Sequence, residues 1–541
     1  MKISGNIVDV INSNVFSGSL LIDKGRIIDV ARENERYNTF IVPGFIDAHV
    51  HIESSMLVPS EFARLAVGHG TVATVSDPHE IANVLGVDGI RFMIENGNTV
   101  PFNFNFGAPP CVPATPFETS GANLDAADID SLLARKDIKY LSEMMNYPGV
   151  INKDEEVIQK IAIAKRHGKP IDGHAPGLTG GALERYVRAG ISTDHETISY
   201  DEGLEKILLG MKLIVREGSA AKNFDALSPL IMKYADQCMF CSDDKHPDDL
   251  VSDHIDGLVR KALQMGIDVM SVLKCACITP VIHYGLDAGL LRVGDRADFI
   301  EVDNLECFNV LRTFINGEVV AEHGKTLLPH VSVPFINKFC VNEKRVSDFF
   351  IKDMGKPVNV IEVINDQVVT GRMSMTCKSC GGNLVSDVNN DILKLVVVNR
   401  YEDCPPSIGF VKNFGLKKGA IASSVAHDSH NIVAVGTTDE DICNAVNLVI
   451  KQKGGLSVVY GDVSETLPLP VGGLMSNEDG YSVAKRYSRL DLIAKQLGSL
   501  LSAPFMALSF MPLLVIPKLK LSDKGLFDGE KFRFIDLIGV E

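Results

Sequence analysis

The chain has 541 residues, 45% of them hydrophobic, enough apolar content for several cores and, at about 150 residues per unit, for three domains. Its 53 basic residues face 69 acidic ones, a formal charge of −16, and no run of Lys or Arg forms a stripe, so nucleic acid is not the expected partner. Eleven cysteines, an odd number without framework spacing, point to reduced thiols and a cytoplasmic protein.

In chain order, the opening MKISGNIVDVINSNVF alternates apolar and polar residues and lacks the apolar segment of a signal peptide. Residues 1–42 read as short strands with turns. From Phe45 to about Gly266, strand, turn and helix alternate. The expected strands are FIDAHVH, TVATVSD, FNFNFG, KYLSEM, PIDGHA, ISTDHE, KLIVREG and QCMFCSDD. Between them lie helical stretches such as SEFARLAVGHG, with Ser60 as its expected N-cap, and DEEVIQKIAIAKRHG. Eight strands, each followed by helical sequence, predict an α/β chain with a (β/α)8 TIM-like barrel over 43–266.

Residues 267–335 return to β texture (LRVGDRADFIEVDN, VLRTFINGEVV), so 1–42 and 267–335 are expected to pair into one composite small β domain, a sandwich fed from both flanks of the barrel. A C-terminal αβ domain is expected over 336–541. Within it, Leu497 to Pro517 carries no charge and is long enough to span a bilayer. Its Pro504, Pro512 and Pro517 and several serines favour a buried helix followed by a core strand, so no membrane is expected.

The local signal for chemistry is His49-Val50-His51 at the end of the first barrel strand. Side chains at i and i+2 of a strand point the same way, so two imidazoles can converge on one cation. Glu143, His174, His195 and Asp243 each end a further expected strand, and barrel strands present their C-terminal ends to the active site. Any one of these histidines alone would more often be a satisfied rim residue; together they make a site. Four histidines and two carboxylates exceed what one catalytic zinc takes, which suggests two ions bridged by Glu143. Two ions would share a hydroxide and lower its pKa towards neutrality, with Asp243 as general base. His79 is a candidate donor to the substrate ring or leaving group, and Glu80 its orienting neighbour, against the plain reading of a loop residue opening a helix.

With these residues in hand, the chain resembles the amidohydrolase superfamily and, within it, the adenine deaminases. The segments that carry the likeness are PGFIDAHVHIESSM (43–56), GTVATVSDPHEIANVLG (70–86), SEMMNYPGVI (142–151), DGHAPGLTG (172–180), STDHETIS (192–199), REGSAAKN (216–223) and CSDDKHPDDL (241–250), continued by 409–437. The resemblance covers nearly the whole chain. It implies hydrolytic deamination of adenine to hypoxanthine and ammonia at a binuclear centre, with Mn2+ as the expected ion and Fe2+ or Zn2+ as alternatives. It also implies that His49, His51, Glu143 and Asp243 hold one ion and Glu143, His174 and His195 the other. Asp243 is preferred to its neighbour Asp244. The sequence departs from the family pattern at Arg400-Tyr401, where Arg-His is usual, at CACITP (275–280), and at CKSCGG (377–382).

Cys377 and Cys380 could form half of a zinc site with Cys404, His427 or His430, but a knuckle needs four spaced ligands and one pair is present. Cys238 and Cys241 lie in an apolar strand and read as core. His427-Asp428-Ser429-His430 lacks the GxSxG elbow of a triad and is expected to close over the barrel mouth or support an interface. The zinc base deaminases carry a P-C-x-x-C that this sequence lacks, so a free purine base with water is the expected substrate pair. A homo-oligomer, specifically a dimer, is the expected assembly. The competing readings are a cyclic-amide hydrolase of the hydantoinase or dihydropyrimidinase kind, and a catalytically silent metal-binding or interaction protein.

Overall fold

Eight short, largely buried segments dictate the centre of the molecule. The computed structural model describes residues 1–539. In it these segments form β1 (Phe45–Val50), β2 (Thr71–Ser76), β3 (Asn103–Ala108), β4 (Ile138–Met144), β5 (Ile171–Gly173), β6 (Thr193–Asp194), β7 (Lys212–Arg216) and β8 (Cys238–Cys241). Apolar runs buried on both faces belong to parallel sheets covered by helices, and the pairings from β1 to β5 and from β6 to β8 are parallel. Ser192 N, just before β6, donates to Ile171 O of β5, and Lys212 N of β7 donates to Ser192 O, both at 2.9 Å. The ring closes where Asp243 N donates to His49 O at 3.0 Å and Val50 pairs with Asp243. All eight expected strands are present, in chain order, as a (β/α)8 barrel.

Three local expectations fail. The helix after β1 spans Pro59–Ala66 and is entered from Val58, so Ser60 lies inside it and is not its N-cap. Proline's fixed φ suits the first helical position, and Pro59 takes it. Residues beyond 267 do not return directly to β texture. Val269–Leu273, a π-helical turn over Lys274–Ile278 that contains CACI, and Thr279–Tyr284 form a last helical stretch against the barrel. Strands resume at Phe299–Val302. A short apolar run cannot be told from a strand by periodicity alone, which is why this segment misleads. The uncharged run 497–517 holds a short buried helix, Pro504–Ser509, but the strand expected after it starts only at Leu519. Its later prolines lack the N–H that a sheet ladder needs. No helix among the described residues is long and apolar enough to cross a membrane.

Two further sheets flank the barrel. The first joins chain from before and after it: Phe40–Pro43 runs antiparallel to Phe299–Val302, inside an eight-stranded sheet built from four strands on each side. Ile7, Leu20, Ile27, Ile41, Phe299 and Phe314 form its own apolar cluster. The second, also eight-stranded, is made wholly from 358–468 and is covered by the helix Asp439–Lys451. Thr438 caps that helix, and three acidic residues in its first turn complement its dipole.

The C-terminal part is tied to the barrel by buried polar contacts. Ser476 N donates to Met56 O at 2.7 Å, and Gly480 N to the Glu61 carboxylate at 2.9 Å. Arg64 bridges Glu61 and Asp479. These ties place residues 427–430 and 505–516 over the C-terminal ends of the barrel strands.

Candidate active site

Residues at or just beyond the C-terminal ends of β1, β4, β5, β6 and β8 converge on one place. His49 and His51 leave β1 with their Nε2 atoms 3.1 Å apart. Asp243, two residues beyond β8, has a positive φ of 53°, a conformation that aspartate tolerates better than most residues. Its Oδ1 lies 3.2 Å from His51 Nε2 and 3.6 Å from His49 Nε2. Glu143, on β4, faces two ways. Its Oε1 is 3.3 Å from His51 Nε2, while its Oε2 is 2.6 Å from His174 Nδ1 and 3.3 Å from His195 Nε2. The rings of His49 and His195 stack at 4.1 Å. The six side chains expected to gather at the mouth therefore do gather there. Asp244, by contrast, turns aside to accept from Ser54 Oγ at 2.5 Å, while also standing within reach of His51 and Asp243.

His79 opens the helix His79–Leu85, as the plain reading had it, yet its ring sits in the site. Nδ1 is 3.4 Å from both Asp77 and Glu143, and Nε2 is 3.4 Å from Glu80 and 3.7 Å from Asp428. Glu80 accepts from two histidines of the C-terminal part, His427 Nδ1 and His430 Nε2. Residues 427–430 thus close over the barrel mouth. The histidines considered as partners of Cys377 are committed to Glu80, while Cys377 packs among Val358, Val360 and Leu384. Cys238 and Cys241 are buried in β8, as expected.

Charge is balanced inside this buried cluster. Burial works against the Glu143 carboxylate, but His174 and His195 beside it hold its pKa well below the usual range. Burial likewise opposes the Asp243 charge, and Arg216 and His51 outweigh it. Burial, reinforced by His195 and His51, keeps His49 neutral well below its ordinary pKa, the form that offers a lone pair. Against burial, Glu196 and Glu143 raise His174 to about 9.

Sequence reasoning missed Arg216 and Glu196, and gave Asp428 only a place in a segment expected to close over the barrel mouth or support an interface. Arg216 ends β7 and donates to both oxygens of Glu196 and to Asp243 Oδ2. The signal was available, since Arg216 occupies the same strand-end position as the acids and histidines, but a search for cation ligands passes over a guanidinium. The pocket over this cluster has a cavity volume of about 40 Å³. Its floor is this polar cluster; Val368, Phe510, Leu513 and Ile516 form an apolar wall. The uncharged run with bilayer length is thus one side of a pocket.

Residues 40–320 match the amidohydrolase family, and residues 367–533 match the adenine deaminase C-terminal domain. The chain is 55% identical over 537 residues to a protein named adenine deaminase from a Sulfurovum species, covering 99% of each chain. It is 53% identical over 553 residues to one of the same name from Methanosarcina mazei, covering all of both. A third, from Salinibacter ruber, is 52% identical over 537 residues, covering 99% of this chain and 98% of that one. The chain belongs to the adenine deaminase family.

Within this adenine deaminase family member, the Arg400-Tyr401 departure serves the same loop that grips Glu80. Tyr401 Oη donates to Ser429 O at 2.6 Å. The fully buried Arg400 donates to carbonyls of His430, Gly472 and Lys338. Among the described residues, buried ring nitrogens of His49, His79, His174 and His195 have no hydrogen-bond partner. Such orphans call for an ion, water or ligand to complete them. Buried sets of His and carboxylate atoms within 4.8 Å of one another include His49, His195 and Asp243, and Glu143, His174 and His195. This donor set fits divalent cations.

Proposed function

We propose that the chain hydrolyses adenine to hypoxanthine and ammonia, using two divalent ions held at the barrel mouth. The observation that carries the reading is Glu143, a buried carboxylate with one oxygen toward His51 and the other toward His174 and His195. His49, His51, Glu143 and Asp243 would hold one ion, and Glu143, His174 and His195 the other. When bound, such ions supply Lewis acidity and a water acidic enough to attack near neutral pH. Manganese is the proposed ion; iron and zinc suit the same mixture of imidazoles and carboxylates.

The chain's own residues account for the proton movements. The oxygen of water bonds to C6, one of its protons passes through Asp243 to the amine, and the C6–N bond breaks to release ammonia. The second proton ends on the ring of hypoxanthine. Arg216 fixes Asp243 from its Oδ2 side, so that Oδ1 faces the cluster. His79 stands between Glu80 and Glu143, placed to donate to the ring or to the leaving amine. The apolar wall offers a nonpolar face to a flat heteroaromatic ring, and a base bound against it would exclude bulk water and so strengthen each of these interactions. All eleven cysteines are free thiols, which supports a reducing, cytoplasmic setting.

The test is release of ammonia and hypoxanthine from adenine by protein loaded with manganese, beside hydantoin and dihydrouracil as controls. Turnover of the cyclic amides and none of adenine, with metal bound, would overturn the reading. Asp243→Asn should lower kcat by about 10²–10⁴-fold while the melting transition stays cooperative. Full retained activity removes Asp243 from its proposed role.

A further inference from the structure

Most carboxylates lining the pocket have protein partners. Glu80 accepts from His427 and His430, Glu143 from His174, Glu196 and Asp243 from Arg216, and Asp244 from Ser54. Asp428 is different. It is 3% exposed, its Oδ2 is buried with no hydrogen-bond partner, and its Oδ1 comes no nearer than 3.7 Å to His79 Nε2. On the residue before it, His427 Nε2 is also buried without a partner, because Glu80 engages the other ring nitrogen. Both residues line the pocket, and Phe510 of the apolar wall stacks on the His427 ring at 4.9 Å and 22°. A buried carboxylate oxygen left without a donor is strongly disfavoured, and a ligand that brings an N–H removes the penalty.

We infer that Asp428 selects purines with a free imidazole N–H, accepting the N9–H of adenine while His427 Nε2 donates to the neighbouring N3. This rests on the adenine reading above and adds the residues that would recognise the base. N9–H and N3 form an adjacent donor and acceptor on the purine edge opposite C6, matched by an acceptor and a donor on consecutive residues. Reading that edge leaves C6 pointing away from Asp428. The His79 ring spans the gap in that direction, with Nε2 toward Asp428 and Nδ1 3.4 Å from Glu143, so the far side of a bound base faces the ligand cluster. Burial opposes a charge on His427, but Glu80 and Asp244 outweigh it and raise its pKa to about 9, so its Nε2 carries a proton to donate. His79, Glu80 and Asp428 also lie close enough to share a cation, and metal content separates that role from substrate recognition.

The experiment compares adenine with 9-methyladenine, which has no ring N–H, on full-length manganese-loaded protein and on Asp428→Ala and Asp428→Asn. The parent should favour adenine by roughly 100-fold or more in kcat/KM. Asp428→Ala should raise the adenine KM about 10–100-fold, keep the parent's metal content, and narrow the preference to within about 10-fold. Asp428→Asn keeps an oxygen acceptor and should fall between the two. An unchanged preference in either folded variant, or loss of bound metal from it, overturns the inference. A parent protein that binds metal but does not turn over adenine overturns the parent reading instead.

Discussion

Arg216 is buried between Glu196 and Asp243, and a planar guanidinium can satisfy both carboxylates at once. Arg216→Met would leave those charges buried and uncompensated, so a loss of about 3–5 kcal/mol in unfolding free energy is expected from the denaturation midpoint. A variant as stable as the parent would show that the carboxylates find other partners. Glu118 gives a prediction in pH. It is buried beneath residues 427–430, accepts from Thr115 at 3.1 Å, and leaves its other oxygen without a partner. Burial, then the Asp428 charge, push its pKa from 4.5 to about 8. Because the folded state holds this proton more tightly, its stability is undiminished below about pH 4.5 and falls as pH rises toward 8. Glu118→Gln removes that decline, so its melting temperature relative to the parent should climb between about pH 5 and pH 8.5. A difference independent of pH would contradict this. The roles of Asp428 and Glu118 were illegible in the sequence because Glu118 feels the Asp428 charge, and Asp428 faces His79, across hundreds of residues of chain, whereas His49 and His51 announce themselves by spacing alone.

At the scale of elements, the barrel strands were legible because apolar runs buried on both faces, ending in polar residues, have few other interpretations. The segments that misled are apolar without a period: 269–284, which is helical, and 497–517, which covers the pocket. That cover has a strut that no motif revealed. Lys520 is fully buried, and its Nζ donates to Val368 O at 2.7 Å and to Phe510 O at 2.9 Å, both carbonyls belonging to the apolar wall. Burial alone pushes its pKa down to about 7. Lys520→Met should loosen this wall and raise the adenine KM by about 3–10-fold, the loss of one or two hydrogen bonds, with kcat within about 3-fold of the parent. A fall in kcat at constant KM would place the strut's effect on the chemistry and not on the wall.

At the scale of the whole molecule, the site is assembled from two distant parts of the chain. The barrel supplies the cluster of histidines and carboxylates, and the C-terminal part supplies His427, Asp428 and the apolar wall. Glu80 joins them, since both C-terminal histidines end on its carboxylate. The barrel and the gathering of its strand-end histidines and acids could be anticipated from strand ends, and the C-terminal part from likeness to a family. That residues 427–430 close over the barrel mouth was one of the expectations; that buried Arg400 and Tyr401 brace this loop was not, because they act through backbone carbonyls that leave no pattern in sequence. We propose that a buried cluster centred on Glu143 binds two cations and that adenine hydrolysis depends on them. The most direct test removes metal with a chelator and then titrates manganese back while measuring bound ions and ammonia release together. Activity should vanish in the metal-free protein and return in proportion to binding, levelling at about two ions per chain. Full adenine turnover by protein carrying well under one ion per chain would contradict it.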